Sequence, residues 1–402
     1  MKVKDKEIVV GITGGIASYK AAELVRLFIK AGANTKVAMT VNATRFITPL
    51  TFEALSGNPV ICDMFGRKGT SIEHITWGQK ADLVVIAPAT ANFIAKMAHG
   101  IADDFLSTMV LAATANILVC PSMNSQMLKN IAVQKNIAAL KERAIAVMEP
   151  EVGELACHTE GPGRLPGLEQ IVEQSWSMLS QQDLSGLRIL VTAGPTVESI
   201  DPVRYITNRS TGKMGYALAR AGRRRGATVT LVSGPTSLRQ PFGVTFRGVK
   251  TAKEMKRVVL ENGPNCDIII KAAAVSDYRP RHCAQHKIKK GVESISLDLV
   301  KNPDILAQLG ETKNKFSHIL VGFAAETNDL LANAKKKLKA KNLDMIVAND
   351  VSRDDAGFEI DTNIVKIIYE DGHAEQLPIM TKDEVADLVL DRIKILWKGV
   401  TV

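Results

Sequence analysis

Short apolar runs that end in small residues recur along this chain. "EIVVGITGG" (7–15) is one, stopping at two glycines, and "IASYKAAELVRLFIKAG" (16–32) then places apolar residues at helical spacing with Gly32 as the stop. "NTKVAMT" (34–40) is the next run, so the opening reads as strand, turn, helix, strand. That order predicts the start of a parallel doubly wound sheet. "ADLVVIAPATAN" (81–92) and "NILVCPSMN" (116–124) read as further strands running into small-residue loops. Their continuous apolar character fits strands covered on both faces.

The pattern breaks at "SWSMLSQQDLSG" (175–186), which is polar and has no strand period, and then restarts. "LRILVTAGPT" (187–196) is a strand and turn; a long loop leads to the helix "KMGYALARAGRRRGA" (213–227) and the strand "TVTLVSGPT" (228–236). "CDIIIKAAAVSDY" (266–278) repeats the design of "ADLVVIAPATAN": an aspartate, an apolar run, then small residues. "DMIVAND" (344–350), a hairpin around "EDGH" (370–373) and a final helix opening on a Thr381–Glu384 capping box complete the chain. The expected fold class is α/β, with two doubly wound, Rossmann-like domains over 1–182 and 183–402. Open parallel sheets bind ligands at the carboxyl ends of their strands, so chemistry is expected in the loops after residues 12, 41, 87, 121, 193 and 272.

Composition narrows the function classes. The 402 residues are 46% apolar and 23% charged, enough for ordinary cores, and aromatics at 5% argue against an all-β sandwich. No apolar run approaches the ~18 residues of a membrane span. The opening "MKVKDKEIVV" has no secretory h-region, and five cysteines without paired spacing suit a reducing compartment, so a cytoplasmic protein without a zinc site is expected. The net charge of +9 is compatible with nucleic acid, but the lysines gather late, in "KIKK" (287–290) and "KKKLKAK" (335–341), without interleaved aromatics. A phosphate-rich small ligand competes with the commoner reading, a solvated lysine face.

In the first half, "GITGGIASYK" lacks the G-x-G-x-x-G spacing but sets Gly14 and Gly15 at a strand-to-helix turn, where amides and the helix dipole favour a phosphate. Tight packing alone also explains glycines in such turns. "APATAN" (87–92) adds hydroxyl and amide groups suited to a flat ring and its phosphate, and "PSMN" (121–124) ends the next strand on an amide. His74 by itself is more often a satisfied structural histidine than a catalyst. "GELACHTEGPGR" (153–164) leaves Cys157 as either a catalyst on a mobile loop or a small residue in a turn.

Taken together, "GITGGIASYKAAELVR", His74, "APATANFIAKMAHGIADDFLST" and "PSMN" resemble the flavin-dependent cysteine decarboxylases over residues 6 to about 175. The resemblance implies a flavodoxin-like domain binding FMN through Gly14, Gly15, Ile16, Ala17, Thr40, Ala87, Pro88, Ala89 and Thr90. It implies that "GELACHTEGPGR" is a flap closing over the substrate, with Cys157 as proton donor. His74 would act on the thiol or carboxylate side of the substrate, and Asn124 would bind the carboxylate. The chemistry is coherent. A cysteine carboxylate has no adjacent electron sink, oxidation of its thiol to a thioaldehyde creates one, and a flavin can take and return the electrons. A thiol is a better acid than a hydroxyl near neutral pH for protonating the resulting ene-thiolate. Ser122, Leu128 and His158 depart from the family pattern beside these residues.

In the second half, "TAGPTVESIDPVRYITNRSTGKMG" (192–215) contains Gly-Lys without Walker A spacing. "AAAVSDYRP" (272–280) offers small residues for close approach and Asp277 as a candidate magnesium ligand, and Lys337 and Lys341 lie one helical turn apart. "ITNRSTGKMG", "AAAVSDYRP", "KIKK", "KNPDI", "VGFAAET" and "KNLDMIVAND", in that order, resemble the phosphopantothenate–cysteine ligases over roughly 187–397. The whole chain thus resembles the bifunctional coenzyme A biosynthesis enzymes of prokaryotes. That resemblance implies ligation of cysteine to 4′-phosphopantothenate through an acyl-cytidylate made from CTP, followed by decarboxylation to 4′-phosphopantetheine. Asn208 would hold the acyl-cytidylate. Lys287, or its neighbour Lys289, would contact the nucleotide phosphates, and Phe323 would line the base pocket. Ala273, Asn302, Pro303, Asp304, Ile305, Lys337 and Lys341 complete the implied CTP site, with Mg2+ on Asp277. Homo-oligomers built on a decarboxylase trimer, up to a dodecamer, are implied as well. The competing readings are a flavoprotein acting on peptide cysteines or a prenyl substrate, which leaves the second half unexplained, and a non-enzymatic regulator, which would be expected to lack Cys157.

Overall fold

The computed structural model describes residues 5–65, 72–156, 159–289, 296–316, 318–326, 330–350 and 360–400. The chain divides between Gln181 and Gln182 into two compact units. In the first, β1 (Glu7–Ile12), β2 (Asn34–Met39), β3 (Val60–Ile61), β4 (Leu83–Ala89), β5 (Asn116–Pro121) and β6 (Ala146–Val147) form one parallel sheet in the order β3-β2-β1-β4-β5-β6. The chain fills one side of β1 and then crosses to the other, which sets the switch point between β1 and β4. All seven residues of β4 are buried, the signature of a strand covered on both faces. Val84, Ile86 and Val119 pack there with Phe93, Leu106 and Met109.

The first helix, α1 (Ser18–Lys30), begins two residues later than its apolar period predicts. The Ser18 hydroxyl bonds back to the carbonyls of Thr13 (2.9 Å) and Gly15 (2.6 Å), which holds residues 13–17 as a turn. The segment 153–164, read as a break in the pattern, belongs to an antiparallel hairpin of Glu151–Glu154 with Glu160–Arg164.

The polar break at 175–186 is divided between the two units. A helix over Leu168–Leu179 takes up its first part, with Trp176 buried edge-on against Phe28 at 5.5 Å. Asp183 and Leu184 already belong to the second unit: Leu184 is fully buried in its core, and Asp183 pairs with Arg225 and Lys394. Burial works to raise the Asp183 carboxyl, but those two cations outweigh it and bring it to about 2.

The second unit holds β7 (Arg188–Ala193), β8 (Thr228–Ser233), β9 (Thr245–Gly248), β10 (Ile268–Lys271), β11 (Ile319–Glu326), β12 (Met345–Asp350), β13 (Val365–Tyr369) and β14 (Ala374–Gln376). Their order is β9-β8-β7-β10-β11-β12-β13-β14; the first six run parallel, and β13 and β14 add the predicted hairpin antiparallel at the edge. The switch point falls between β7 and β10. Helix α2 (Ala91–His99) directly follows β4 in the first unit. The second unit contains α3 (Lys213–Arg224), α4 (Ala252–Asn262), α5 (Ile305–Phe316), α6 (Leu330–Ala340) and α7 (Lys382–Val400). The capping box of α7 is present: the Thr381 N–H donates to Glu384 at 2.8 Å and the Glu384 N–H to the Thr381 hydroxyl at 3.3 Å. Among the described residues no helix is long and apolar enough to cross a membrane.

Candidate functional site

In the first unit, the loops after β1, β2 and β4 are fastened to one another. The Thr13 hydroxyl donates to the Pro88 carbonyl at 2.8 Å, and the Thr90 N–H donates to the Thr13 hydroxyl at 2.9 Å. The Thr40 N–H reaches the Ile12 carbonyl at 3.0 Å. Thr90 also caps α2 through the Phe93 N–H. The two glycines of the turn differ. A side chain at Gly14 would press on Asn42, whose carbonyl carbon would lie 2.9 Å from the new Cβ, so packing demands glycine there. At Gly15 the nearest atom would be Thr90 Cγ2 at 3.4 Å, an ordinary contact. The Thr40 hydroxyl oxygen is buried with no hydrogen-bond partner among the described residues. An orphaned hydroxyl beside an open glycine turn is what a phosphate-bearing ligand would satisfy, so these residues fit FMN.

The hairpin carrying Cys157 is docked at its base on the loop after β5. The Met123 N–H donates to the Gly163 carbonyl at 2.9 Å, and the Ser125 hydroxyl to the Pro162 carbonyl at 2.7 Å. Gly163 has a φ of +139°, and any Cβ there would overlap the Met123 carbonyl oxygen. The Leu155 N–H bonds to the Thr159 carbonyl at 2.9 Å and closes the hairpin towards its tip. Cys157 and His158 themselves lie outside the described residues. Asn124 adjoins the docking point and caps the short helix Ser125–Lys129 by accepting the Gln126 N–H at 2.8 Å. His74 is half-buried in the first turn of the helix Glu73–Lys80, and its side chain makes no hydrogen bond among the described residues. Of the departures from the family pattern, Leu128 is buried in the core, where packing rather than substrate contact accounts for it.

In the second unit a cleft of about 140 Å³ opens at the strand ends, lined by residues 210–215, Ala272, Ala273, Ala274, Phe323, Ala324, Asn349, Asn363 and Lys382. Helix α3 starts at its rim from Gly212, at φ +79°, without a side-chain cap. The positive end of its dipole therefore favours an anion. The helix lies close on β7 because residue 215 is glycine; a Cβ there would be 2.5 Å from that of Ala193. The Asn208 amide donates to the Ala274 carbonyl at 3.1 Å, which fixes it at the edge of this cleft. Further bonds join the loops after β7 and β10: Ala273 N–H to the Thr192 hydroxyl at 3.1 Å and Ser276 N–H to the Thr196 hydroxyl at 3.0 Å.

The cleft contains chemistry that the motifs did not single out. Lys382 is buried, donates to the Ile360 carbonyl, and is lowered to about 8 by burial and by nearby Lys213, against the pull of Asp361. Lys213 pairs with Asp361 at 2.7 Å. The Asn349 side-chain oxygen is buried without a partner among the described residues. Lys382 and Asn363 come from the last stretch of the chain, where no local motif marks them.

The other expected residues fall into smaller groups. Asp304 pairs with Lys341 at 2.8 Å and caps α5 through the Ala307 N–H at 3.0 Å. Burial acts to raise the Asp304 carboxyl, but the Lys341 hydrogen bond, the Ala307 N–H and the charges of Lys341 and Lys271 hold it below its ordinary value. The Ile305 side chain is buried, so any contact it makes with a nucleotide would be through its main chain. Lys287 and Lys289 are exposed on either side of Ile288, whose N–H donates to Asp201 at 3.2 Å and whose carbonyl accepts from Arg204. Asp277 is exposed, and among the described residues no three His, Cys, Asp or Glu side chains are grouped to hold a metal. A single carboxylate still suits Mg2+, which keeps waters and takes phosphate oxygens for its other positions.

Each of the two doubly wound units thus gathers loops suited to an anionic ligand at its strand ends. The sequence matches the Flavoprotein family over residues 1–180 and the DNA/pantothenate metabolism flavoprotein C-terminal domain over residues 184–396. It is 48% identical over 401 residues to the coenzyme A biosynthesis bifunctional protein CoaBC of Bacillus subtilis, and 44% identical over 398 residues to that of Escherichia coli, covering 98% of each chain in both cases. The crystal structure of the C-terminal domain of a coenzyme A biosynthesis bifunctional protein CoaBC is 44% identical, covers 55% of this chain and 100% of that one, and superposes with a TM-score of 0.47. This chain belongs to the family of coenzyme A biosynthesis bifunctional proteins.

Proposed function

We propose a division of labour for this bifunctional enzyme of coenzyme A biosynthesis. Residues 183–402 ligate cysteine to 4′-phosphopantothenate with CTP and Mg2+, and residues 1–182 decarboxylate the product to 4′-phosphopantetheine with FMN. The match along 98% of both chains to the Bacillus subtilis protein carries this reading. The enzyme works in the cytoplasm as a homo-oligomer.

In the ligase unit, the uncapped start of α3 and the lysines of the cleft favour anionic substrates. Phe323 supplies an apolar wall for the base. Asn208, anchored on Ala274, hydrogen-bonds the acyl-cytidylate without adding charge. Lys287 neutralises the triphosphate, with Lys289 as the alternative, and Asp277 holds Mg2+ among the phosphates. Attack by the cysteine amine then releases CMP.

In the decarboxylase unit, FMN supplies a two-electron acceptor and donor beside the substrate. Gly14, Gly15, Thr40 and the 87–90 loop bind its phosphate and orient its ring. Asn124 binds the substrate carboxylate, and His74 acts on the thiol or carboxylate side. The hairpin closes over the substrate and excludes water, and the Cys157 thiol gives its proton to the ene-thiolate left after carbon dioxide departs.

The test uses full-length protein with 4′-phosphopantothenate, cysteine, Mg2+ and CTP, followed by mass analysis. The expected products are 4′-phosphopantetheine, CMP, pyrophosphate and carbon dioxide. With cysteine withheld, pyrophosphate and acyl-cytidylate should still form. Pyrophosphate release that strictly needs cysteine, or CDP in place of CMP, rules out the acyl-cytidylate route.

A further inference from the structure

A second cleft in the ligase unit, of about 530 Å³, shares no lining residue with the first, but it includes Asn302 and Pro303, two residues of the implied CTP site. One wall is α4, where Lys253, Lys256, Arg257 and Leu260 follow one another at i, i+3, i+4 and i+7 and so form a single stripe. The facing wall consists of Arg279 and Lys301, on the antiparallel ladder of Tyr278–Pro280 with Leu299–Lys301, and of Asn302 and Pro303 just after it. Five cationic side chains line this concave space and no carboxylate does.

Two of the five are engaged. Arg257 pairs with Glu261 on its own helix at 3.0 Å, and Arg279 donates to the Lys301 carbonyl at 2.6 Å and the Asn302 side-chain oxygen at 3.1 Å. The side chains of Lys253, Lys256 and Lys301 have no hydrogen bond or ion pair among the described residues. A convex lysine face spreads its charges into water. A cleft with cations on both walls instead concentrates their field and favours a ligand of high negative charge.

The cleft is also wired to the ligase centre. The Asn302 amide donates to the Ser276 carbonyl at 2.8 Å and its N–H to the Asp277 carbonyl at 2.7 Å. Both acceptors lie in the loop whose earlier residues, Ala272 to Ala274, line the first cleft. A ligand seated between α4 and Lys301 thus bears on the loop that shapes that cleft.

We propose that this basic cleft binds a polyphosphate, a di- or triphosphate group, through Lys253, Lys256, Lys301 and Arg279. Two sources share that chemistry: the nucleotide's own phosphates, including the pyrophosphate released from it, and a separate phosphorylated ligand. The proposal rests on the cleft's charge and shape and holds whichever nucleotide the ligase uses.

The test measures binding of inorganic pyrophosphate and tripolyphosphate to the full-length, flavin-loaded protein by calorimetry at fixed ionic strength. The variant is Lys253→Gln/Lys256→Gln/Lys301→Gln; the control is Lys335→Gln/Lys336→Gln/Lys339→Gln on the exposed side of α6, which removes the same charge. The cleft variant should bind at least tenfold more weakly, and the control within twofold of the parent, with melting temperatures of all three alike. Equal binding by parent and cleft variant, or equal weakening in cleft variant and control, overturns the proposal. A raised KM for CTP in the cleft variant, with kcat kept, assigns the site to the nucleotide's phosphates. An unchanged KM with pyrophosphate binding lost assigns it to a separate ligand.

Discussion

Replacing Gly163 by alanine tests whether docking of the Cys157 hairpin governs decarboxylation. Gly163 combines three constraints: a φ of +139°, a carbonyl that accepts the Met123 N–H at 2.9 Å, and no room for a Cβ against the Met123 carbonyl oxygen. An ordinary carbon–oxygen contact is about 3.3 Å or more, so the two backbones must separate by about an ångström. That stretches the hydrogen bond beyond a useful length, at a cost of about 1 kcal/mol. The unfavourable φ adds about 1–2 kcal/mol. For a flap that must dock and undock in each turnover, a loss of about 2–3 kcal/mol lowers the docking equilibrium constant roughly 30- to 150-fold and, from near balance, the docked population about 15- to 80-fold. The assay follows both activities in one preparation, pyrophosphate release for the ligase and phosphopantetheine for the decarboxylase, with the flavin measured by absorbance. The ligase should stay within twofold, the flavin should be retained, and decarboxylation should fall at least tenfold. Gly57→Ala is the comparison: its φ is +67° but nothing lies within 4 Å of a new Cβ, so it adds strain without overlap and should spare both activities. Decarboxylation within twofold of the parent in Gly163→Ala, with flavin bound, would refute the docking argument.

Four further outcomes are expected. Cys157→Ser should keep its flavin and release carbon dioxide yet stall before phosphopantetheine; a normal yield of phosphopantetheine would make the hairpin tip a structural turn. Gly15→Asp has room to fold, with Thr90 Cγ2 as the nearest atom at 3.4 Å, but sets a carboxylate at the phosphate end of the site, so the purified protein should be colourless with an unchanged melting temperature; a fully yellow preparation removes the assignment. Asn208→Asp replaces the amide that donates to Ala274 and puts a negative charge beside a phosphoanhydride, costing roughly 1 kcal/mol or more, so amide product should be lost while CTP still protects against heat. Lys271, buried at the end of β10 and facing Asp304 and Lys341, is lowered to about 8 from 10.5, chiefly by burial. The unfolded chain therefore holds the extra proton between those values, and the contribution of this group to stability should rise as pH increases from about 8 to about 10.5; chemical denaturation of Lys271→Met should show a flatter rise there, and an unchanged pH profile would mean that the burial of Lys271 is not felt.

Much of the architecture was legible in the sequence because its signals are local. Apolar runs such as 83–89, closed by small residues and followed by helical spacing, define strand, turn and helix within a few residues of one another. The Thr381–Glu384 box and the hairpin at 370–373 are likewise local, and both are present. Resemblance along the whole chain reached the family, which 48% identity to the Bacillus subtilis relative, across 98% of each chain, bears out.

Tertiary structure decided what depends on residues far apart in the chain. Gly14 and Gly15 are the same letter in the same turn, yet only Gly14 is pressed by Asn42, and only packing distinguishes them. The break at 175–186 showed in the sequence only as a polar stretch without a strand period; Arg225 and Lys394, the partners of its Asp183, lie dozens to hundreds of residues away. Lys382 and Asn363 reach the ligase cleft because strand order in a parallel sheet brings separate loops to one edge. The basic cleft arises in the same way, from one stripe of α4 set against a distant ladder. Side-chain spacing along a chain encodes which face of an element is apolar, whereas the convergence of charge at a site is a property of how the faces meet.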